Sequence, residues 1–149
     1  MTLESEEQAR AESIVGRMMA HDAFSRWLGI ELIAIRPRAC TLRMTVRPDM
    51  VNGFGVSHGG ITYSLADSAL AFACNSDADE HVAMSIENTI AYPAAVNVGD
   101  ELVAVAEEES ASGRLGFYRV MVANQDGTCV ALFTGTVYRT KRKHHGHDA

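Results

Sequence analysis

Between Asp49 and Asp77 the chain carries one formally charged side chain, Asp67. It lies in a run, residues 60–75, that reads as a helix with apolar residues on nearly every face: Ile61, Leu65, Ala66, Ala69, Leu70, Ala71, Phe72 and Ala73. A helix that is hydrophobic all round belongs inside something. A lone carboxylate on it is costly unless the fold supplies hydrogen-bonding partners or a water-filled cleft. The fold must therefore wrap most of one helix and still leave Asp67 a polar opening. Two readings stand at this point: a satisfied structural carboxylate, or a group tuned for chemistry.

The rest of the chain supplies the wrapping. Residues 3–27 read as one amphipathic surface helix, with Ile14, Met18, Met19 and Phe24 near helical spacing. Gly29 ends it. Residues 30–36 and 39–47 read as two strands joined at Pro37-Arg38, and Pro48-Asp49 breaks the second. After the apolar helix comes a polar turn, Asp77 to Glu80, and then strands over residues 81–92, 101–110, 115–123 and 128–140. Val82, Met84 and Ile86 form one alternation of the first of these strands, with Ser85, Glu87 and Thr89 on the other. Turns at Ser112-Gly113 and residues 124–127 separate the later strands. This order predicts an α+β domain, one curved antiparallel sheet wrapped around one long helix. Any open sheet edge and uncovered helix face predict a homo-oligomer.

Length and composition bound the rest. A chain of 149 residues predicts a single domain, residues 1–149. A net charge of −6 argues against nucleic acid as a partner. Cys40, Cys74 and Cys129 are odd in number and widely spaced, and read as small core residues of a reducing compartment. The acidic N-terminus lacks the features of a secretory leader, and no stretch reads as a membrane span, so the expected location is the cytoplasm. The tail, residues 141–149, reads as polar and disordered, with three histidines that predict no functional metal site.

The chemistry concentrates before and along the helix. Gly59-Gly60 stand at its start, where N–H groups lack intrahelical partners and the dipole is positive. Glycines let a ligand approach that backbone closely, which makes an oxyanion site. Gly60 and Asp67 are seven residues apart, about two turns or roughly 10 Å, on similar faces. That spacing suggests a carboxylate beside a group polarised at the helix N-terminus. Asn52 and His58 add neutral hydrogen-bonding groups. The set suits acyl transfer to water. Plainer readings stay open: His58 as a helix cap, and Asn52-Gly53 as turn chemistry alone. Phe54, Val56 and Tyr63 form an apolar set beside the motif that suits binding of an acyl group, with Gly60 as a point of close approach.

The pattern Asn52-Gly53, His58-Gly59-Gly60, Asp67 resembles that of the hotdog-fold acyl-CoA thioesterases, in particular the phenylacetic acid degradation (PaaI-type) branch. Residues 64–76, 97–102 and 130–139 are similar to that branch as well. The resemblance implies Asp67 as general base or nucleophile, the Gly59 N–H as the group polarising the thioester oxygen, Asn52 as orienter of water or substrate, and His58 as support for the thioester end. It also implies a serine or threonine reaching in from a neighbouring subunit, a role that falls on Ser85. The substrate implied is an aryl-acetyl-CoA, such as phenylacetyl-CoA or hydroxyphenylacetyl-CoA. Active sites at a homodimer interface and a dimer-of-dimers tetramer are implied too. No cofactor is, because coenzyme A is part of the substrate. Arg114, Arg139, Lys141, Arg142 and Lys143 are the cations available for its phosphates. Two other readings compete: a hotdog enoyl- or hydroxyacyl-CoA hydratase, which would need a histidine facing the cleft, and a non-catalytic acyl-CoA-binding domain.

Overall fold

A computed structural model describes residues 1–77 and 80–144. The elements run α1 (Leu3–His21), α2 (Ala23–Trp27), β1 (Glu31–Arg36), β2 (Ala39–Thr45), a 3-10 turn (Pro48–Met50), α3 (Gly59–Asn75), β3 (His81–Ala91), β4 (Glu101–Ser112), β5 (Leu115–Ala123) and β6 (Cys129–Lys143). The strands form one antiparallel sheet in the order β1-β2-β4-β5-β6-β3. Its concave face packs on α3. This is the hotdog fold expected from the sequence.

The core follows from alternation. Leu42 and Met44 on β2, Leu102, Ala104 and Ala106 on β4, Tyr118, Val120 and Val122 on β5, and Phe133 and Val137 on β6 are all buried. They meet Leu65, Ala66, Ala69, Leu70, Phe72 and Ala73 of α3, which are buried too. Alanines on both faces let helix and sheet approach closely, so the sheet curls around the helix instead of lying flat on it. The C-terminal end of α3 is pinned by polar groups. The Arg139 guanidinium lies 2.9 Å from Asp77 and 3.4 Å from Glu108, and the Tyr118 hydroxyl donates to Glu108 at 2.9 Å.

Two local expectations need correction. The single helix over residues 3–27 breaks at Asp22, whose carboxylate accepts from the Ser25 backbone N–H at 2.9 Å and from its hydroxyl at 2.6 Å. An aspartate at that position competes for the backbone and starts a new helix. Lys141 to Lys143 continue β6 instead of belonging to a disordered tail, since residue 143 pairs with His81. His145 and His147 of that tail, and Ala78 and Asp79 of the polar turn, lie outside the described residues. On β3, Met84 and Ile86 are 60% and 61% exposed. Strand β3 is an edge strand, and its register shifts between Ser85 and Glu87, so Ile86 sits at a bulge.

Candidate active site

The loop before α3 is a fixed structure. The Asn52 side-chain oxygen accepts from the Phe54 N–H at 2.9 Å, and its backbone N–H donates to Val56 at 2.8 Å. Gly55 takes φ +78°, which lets this tight turn close. Ser57 and His58 then donate to the carbonyls of Val96 and Met50, each at 2.8 Å. Phe54 is left at the loop tip, 93% exposed.

His58 caps the helix. Its Nδ1 accepts from the Gly60 N–H at 2.9 Å. Nδ1 therefore carries no proton, and the neutral ring keeps its proton on Nε2. A Cβ at Gly60 would stand 3.0 Å from that nitrogen, so glycine is what allows the cap to close. The Gly60 N–H is consumed by this bond. The Gly59 N–H, in contrast, has no hydrogen-bond partner among the described residues. It is the free donor at the positive end of α3. The Gly59 carbonyl accepts from the Tyr92 hydroxyl at 2.8 Å, with the ring packed where a Cβ at Gly59 would meet it at 3.1 Å. Sequence reasoning misses Tyr92. Its place just before Pro93, at the end of a strand, gives no signal for this bond across to the helix start.

Asp67 stands midway along α3, half-buried. Its Oδ1 accepts from the Asn88 side-chain amide at 3.2 Å. The same amide nitrogen is 3.0 Å from the Tyr63 hydroxyl and 3.5 Å from Ser85 Oγ. Burial raises the Asp67 carboxyl above the ordinary carboxylate range, and the Asn88 hydrogen bond restrains that rise. Asp67 and Ser85 open onto a cleft of about 420 Å³, walled by Met18 of α1, Leu70, Ala71 and Cys74 of α3, and Val82 and Met84 of β3. Burial pushes the Cys74 thiol up to about 12, and Cys40 likewise, so neither is a nucleophile near neutral pH.

A second cleft, about 320 Å³, lies at the helix start and is lined by Val56, Ser57, Gly59, Thr62 and residues 92–96. No residue lines both clefts. One chain thus does not place Asp67 beside a group polarised at its own helix N-terminus. Gly59 and Asp67 are eight residues apart on one helix, about 12 Å along its axis. Ser85, which the resemblance would bring from a neighbouring subunit, shares its own chain's cleft with Asp67. The apolar set is also divided: Phe54 is at the loop tip, Val56 is in the second cleft, and Tyr63 stands on the Phe133 ring with centroids 5.4 Å apart and its hydroxyl at Asn88.

Asn88 is a second site residue that sequence reasoning missed. A signal existed: an asparagine inside a run of strand residues, and a glycine, Gly135, inside another. The two are register partners.

Of the cations, Arg139 is engaged with Asp77 and Glu108, and Arg114 donates to the Arg139 carbonyl at 2.8 Å. Lys141, Arg142 and Lys143 are exposed at the end of β6, and Arg142 lines the Asp67 cleft. Among the described residues no group of three or more His, Cys, Asp or Glu side chains could hold a metal ion. No helix among them is long and apolar enough to cross a membrane.

Comparison with known proteins agrees with this fold. The family model of the thioesterase superfamily matches residues 54–131. The acyl-coenzyme A thioesterase PaaI of Escherichia coli (strain K12) is 37% identical over 122 residues, 82% of this chain and 86% of that one. The solved structure of the E. coli PaaI protein, from the phenylacetic acid degradation operon, superposes with a TM-score of 0.87 at 33% identity, covering 91% of this chain and 97% of that chain. The TT0310 protein of Thermus thermophilus superposes at 0.76 with 37% identity, covering 80% of this chain and 99% of that one. With its hotdog fold and its Asn-Gly, His-Gly-Gly and Asp motif in place, the chain belongs to the thioesterase superfamily, as an acyl-CoA thioesterase of the PaaI type.

Proposed function

We propose that this enzyme hydrolyses an aryl-acetyl-CoA, such as phenylacetyl-CoA or a hydroxyphenylacetyl-CoA, to the free acid and CoA, in the cytoplasm and as a step of phenylacetate catabolism. The observation that carries the reading is the cleft beside Asp67. A half-buried carboxylate with a raised pKa stands at the edge of a largely apolar space of about 420 Å³, wide enough for an aromatic ring. Similarity to the E. coli PaaI protein supports the aromatic acyl group.

The reaction needs an oxyanion donor and a base about 3 Å from one reacting centre. Gly59 and Asp67 of one chain are too far apart for that. Two copies related by a two-fold axis, with their α3 helices antiparallel, would bring Gly59 of one copy to Asp67 of the other. The open edge of β3, with Met84 and Ile86 outward, offers the surface for such a pairing. The functional unit is then a homodimer with two composite sites, and pairs of dimers make the tetramer.

In each site Asp67 takes a proton from water as the water oxygen bonds to the thioester carbon. The Gly59 N–H of the other copy stabilises the oxyanion. The tetrahedral intermediate collapses, the C–S bond breaks, and the proton held by Asp67 goes to the leaving thiolate. Asn52 orients the water or substrate through its amide nitrogen, since its oxygen is used in the loop. His58, with Nδ1 occupied, keeps the helix start in shape. Lys141, Arg142 and Lys143 are the cations for the CoA phosphates.

Thiol release from a panel of phenylacetyl-, hydroxyphenylacetyl-, benzoyl-, hexanoyl- and crotonyl-CoA tests the substrate. The aryl-acetyl thioesters are expected to give the highest kcat/KM. A tenfold preference for hexanoyl-CoA would overturn the aromatic assignment. Hydration of crotonyl-CoA without thiol release would overturn hydrolysis.

A further inference from the structure

We infer that Asn88 is a positioning residue: its amide holds one oxygen of Asp67 and thereby presents the other to the cleft. The inference rests on Asp67 acting as the base in the hydrolysis proposed above.

Three features that each go against a local preference meet at this one side chain. The first is the residue itself. Asparagine is depleted from strands, yet Asn88 lies within β3 with its amide turned toward α3. The second is Gly135, its register partner on β6. Glycine weakens a strand. A Cβ there would lie 2.7 Å from Asn88 Oδ1 and 2.6 Å from Leu70 Cδ2, so the glycine is what leaves room for both. The third is Asn88 Oδ1, buried and without a hydrogen-bond partner among the described residues. Buried polar atoms are almost always satisfied, and an exception calls for a reason. The orientation of the amide supplies one. Rotating it to give Oδ1 a partner would set that oxygen against the Asp67 carboxylate, two acceptors face to face. While Asp67 is ionised the amide is locked with its donors inward and its oxygen stranded.

The donor count then orders the site. The amide has two hydrogens and three acceptors around it: Tyr63 at 3.0 Å, Asp67 at 3.2 Å and Ser85 at 3.5 Å. The two shorter contacts take the hydrogens. The Tyr63 oxygen accepts, so its own proton points elsewhere, and the Ser85 hydroxyl stays free to turn into the cleft. Among the described residues, the other titratable or charged groups lining that cleft are Cys74 on α3, Arg142 on β6 and His144 just beyond it, with Tyr63 behind Asn88; α1 brings Met18.

The test is Asn88→Leu, which keeps the volume and removes the donor. With wild-type fold and assembly, kcat/KM for the best thioester should fall about 10- to 100-fold. The bond lost favours the charged carboxylate, so the acidic limb of the kcat/KM profile should move up by about one pH unit. The Asp67 carboxyl, followed by NMR in aspartate-13C-labelled full-length protein, should shift its titration the same way, which separates it from Arg142 and His144. A merely structural Asn88 would lower Tm and activity without moving either titration, and that result overturns the inference. If Asn88→Leu does not fold, Asn88→Ser, with a shorter reach, should show the same upward shift. Failure of the hydrolysis reading looks different: the wild type would release no thiol, whatever the Asp67 titration does.

Discussion

At the scale of single residues, Asp67 sets function against stability. Its carboxyl pKa is raised, chiefly by burial. A carboxyl that binds its proton more tightly folded than unfolded lowers stability as pH rises between the two pKa values. Its cost is therefore fully present above the folded value and absent below the unfolded one, about pH 4. Asp67→Asn removes the charge and keeps the shape. It should raise Tm by a few degrees at pH 7 to 8, with the gain vanishing near pH 4. The same substitution should cost about two to four powers of ten in kcat, because the asparagine cannot take the proton from water. Parallel thermal melts across pH and thiol-release assays check both halves. A variant that loses stability at neutral pH would mark Asp67 as a structural carboxylate, the plainer of the two readings that its sequence context allows.

At the scale of elements, the start of α3 carries the second half of the chemistry. Gly59 is its first residue, and the preceding residue, His58, has ψ 134°, the extended conformation that a following proline requires. Proline is tolerated at the first helical position, where the missing N–H has no intrahelical use. Gly59→Pro therefore deletes the proposed oxyanion donor with little damage to the helix. It should lower kcat about 100- to 1000-fold with Tm near that of the wild type. Gly59→Ala is the control: it adds the same Cβ, 3.1 Å from the Tyr92 ring, and keeps the N–H, so it should retain most of the activity. Equal losses in both variants would point to steric disturbance and not to the donor. The elements were largely legible in the sequence because alternation and breakers report local structure directly. The apolar run of α3 and the Pro48-Asp49 break fall where the sequence puts them, while the turn expected at Ser112-Gly113 falls one residue later, at Gly113-Arg114, because Ser112 still pairs with Leu115. What stayed illegible depends on tertiary contacts between elements. The bulge that carries Ile86 lies on an edge strand, and periodicity does not report it. The bond from Asn88 to Asp67 joins a strand to a helix 21 residues away. The motif named Asp67, Gly59 and His58, but not the separation of Asp67 from Gly59 into two clefts.

At the scale of the whole molecule, that separation has a consequence that mixing experiments can reach. If each site joins Asp67 and Ser85 of one copy to Gly59 and Asn52 of the other, a copy lacking the base and a copy lacking the donor damage different halves of each site. Homodimers of Asp67→Asn have two sites without a base, and homodimers of Gly59→Pro have two without a donor. In the mixed dimer both lesions fall into one site, and the other site is wild type. Equal amounts of the two variants, unfolded together and refolded, give about half mixed dimers, so activity should return to ~25% of wild type from two nearly inactive proteins. Mixing the folded variants should give the same value more slowly, at the rate of subunit exchange. Ile86→Glu on the β3 edge should weaken the pairing, shift the protein toward monomer in sedimentation, and lose activity together with the dimer, although residue 86 lines neither cleft. No recovery on mixing, with mixed dimers demonstrated by mass spectrometry of differently tagged copies, would mean that donor and base belong to one chain. The roughly 12 Å between them would then have to be closed by a movement of the loop before α3.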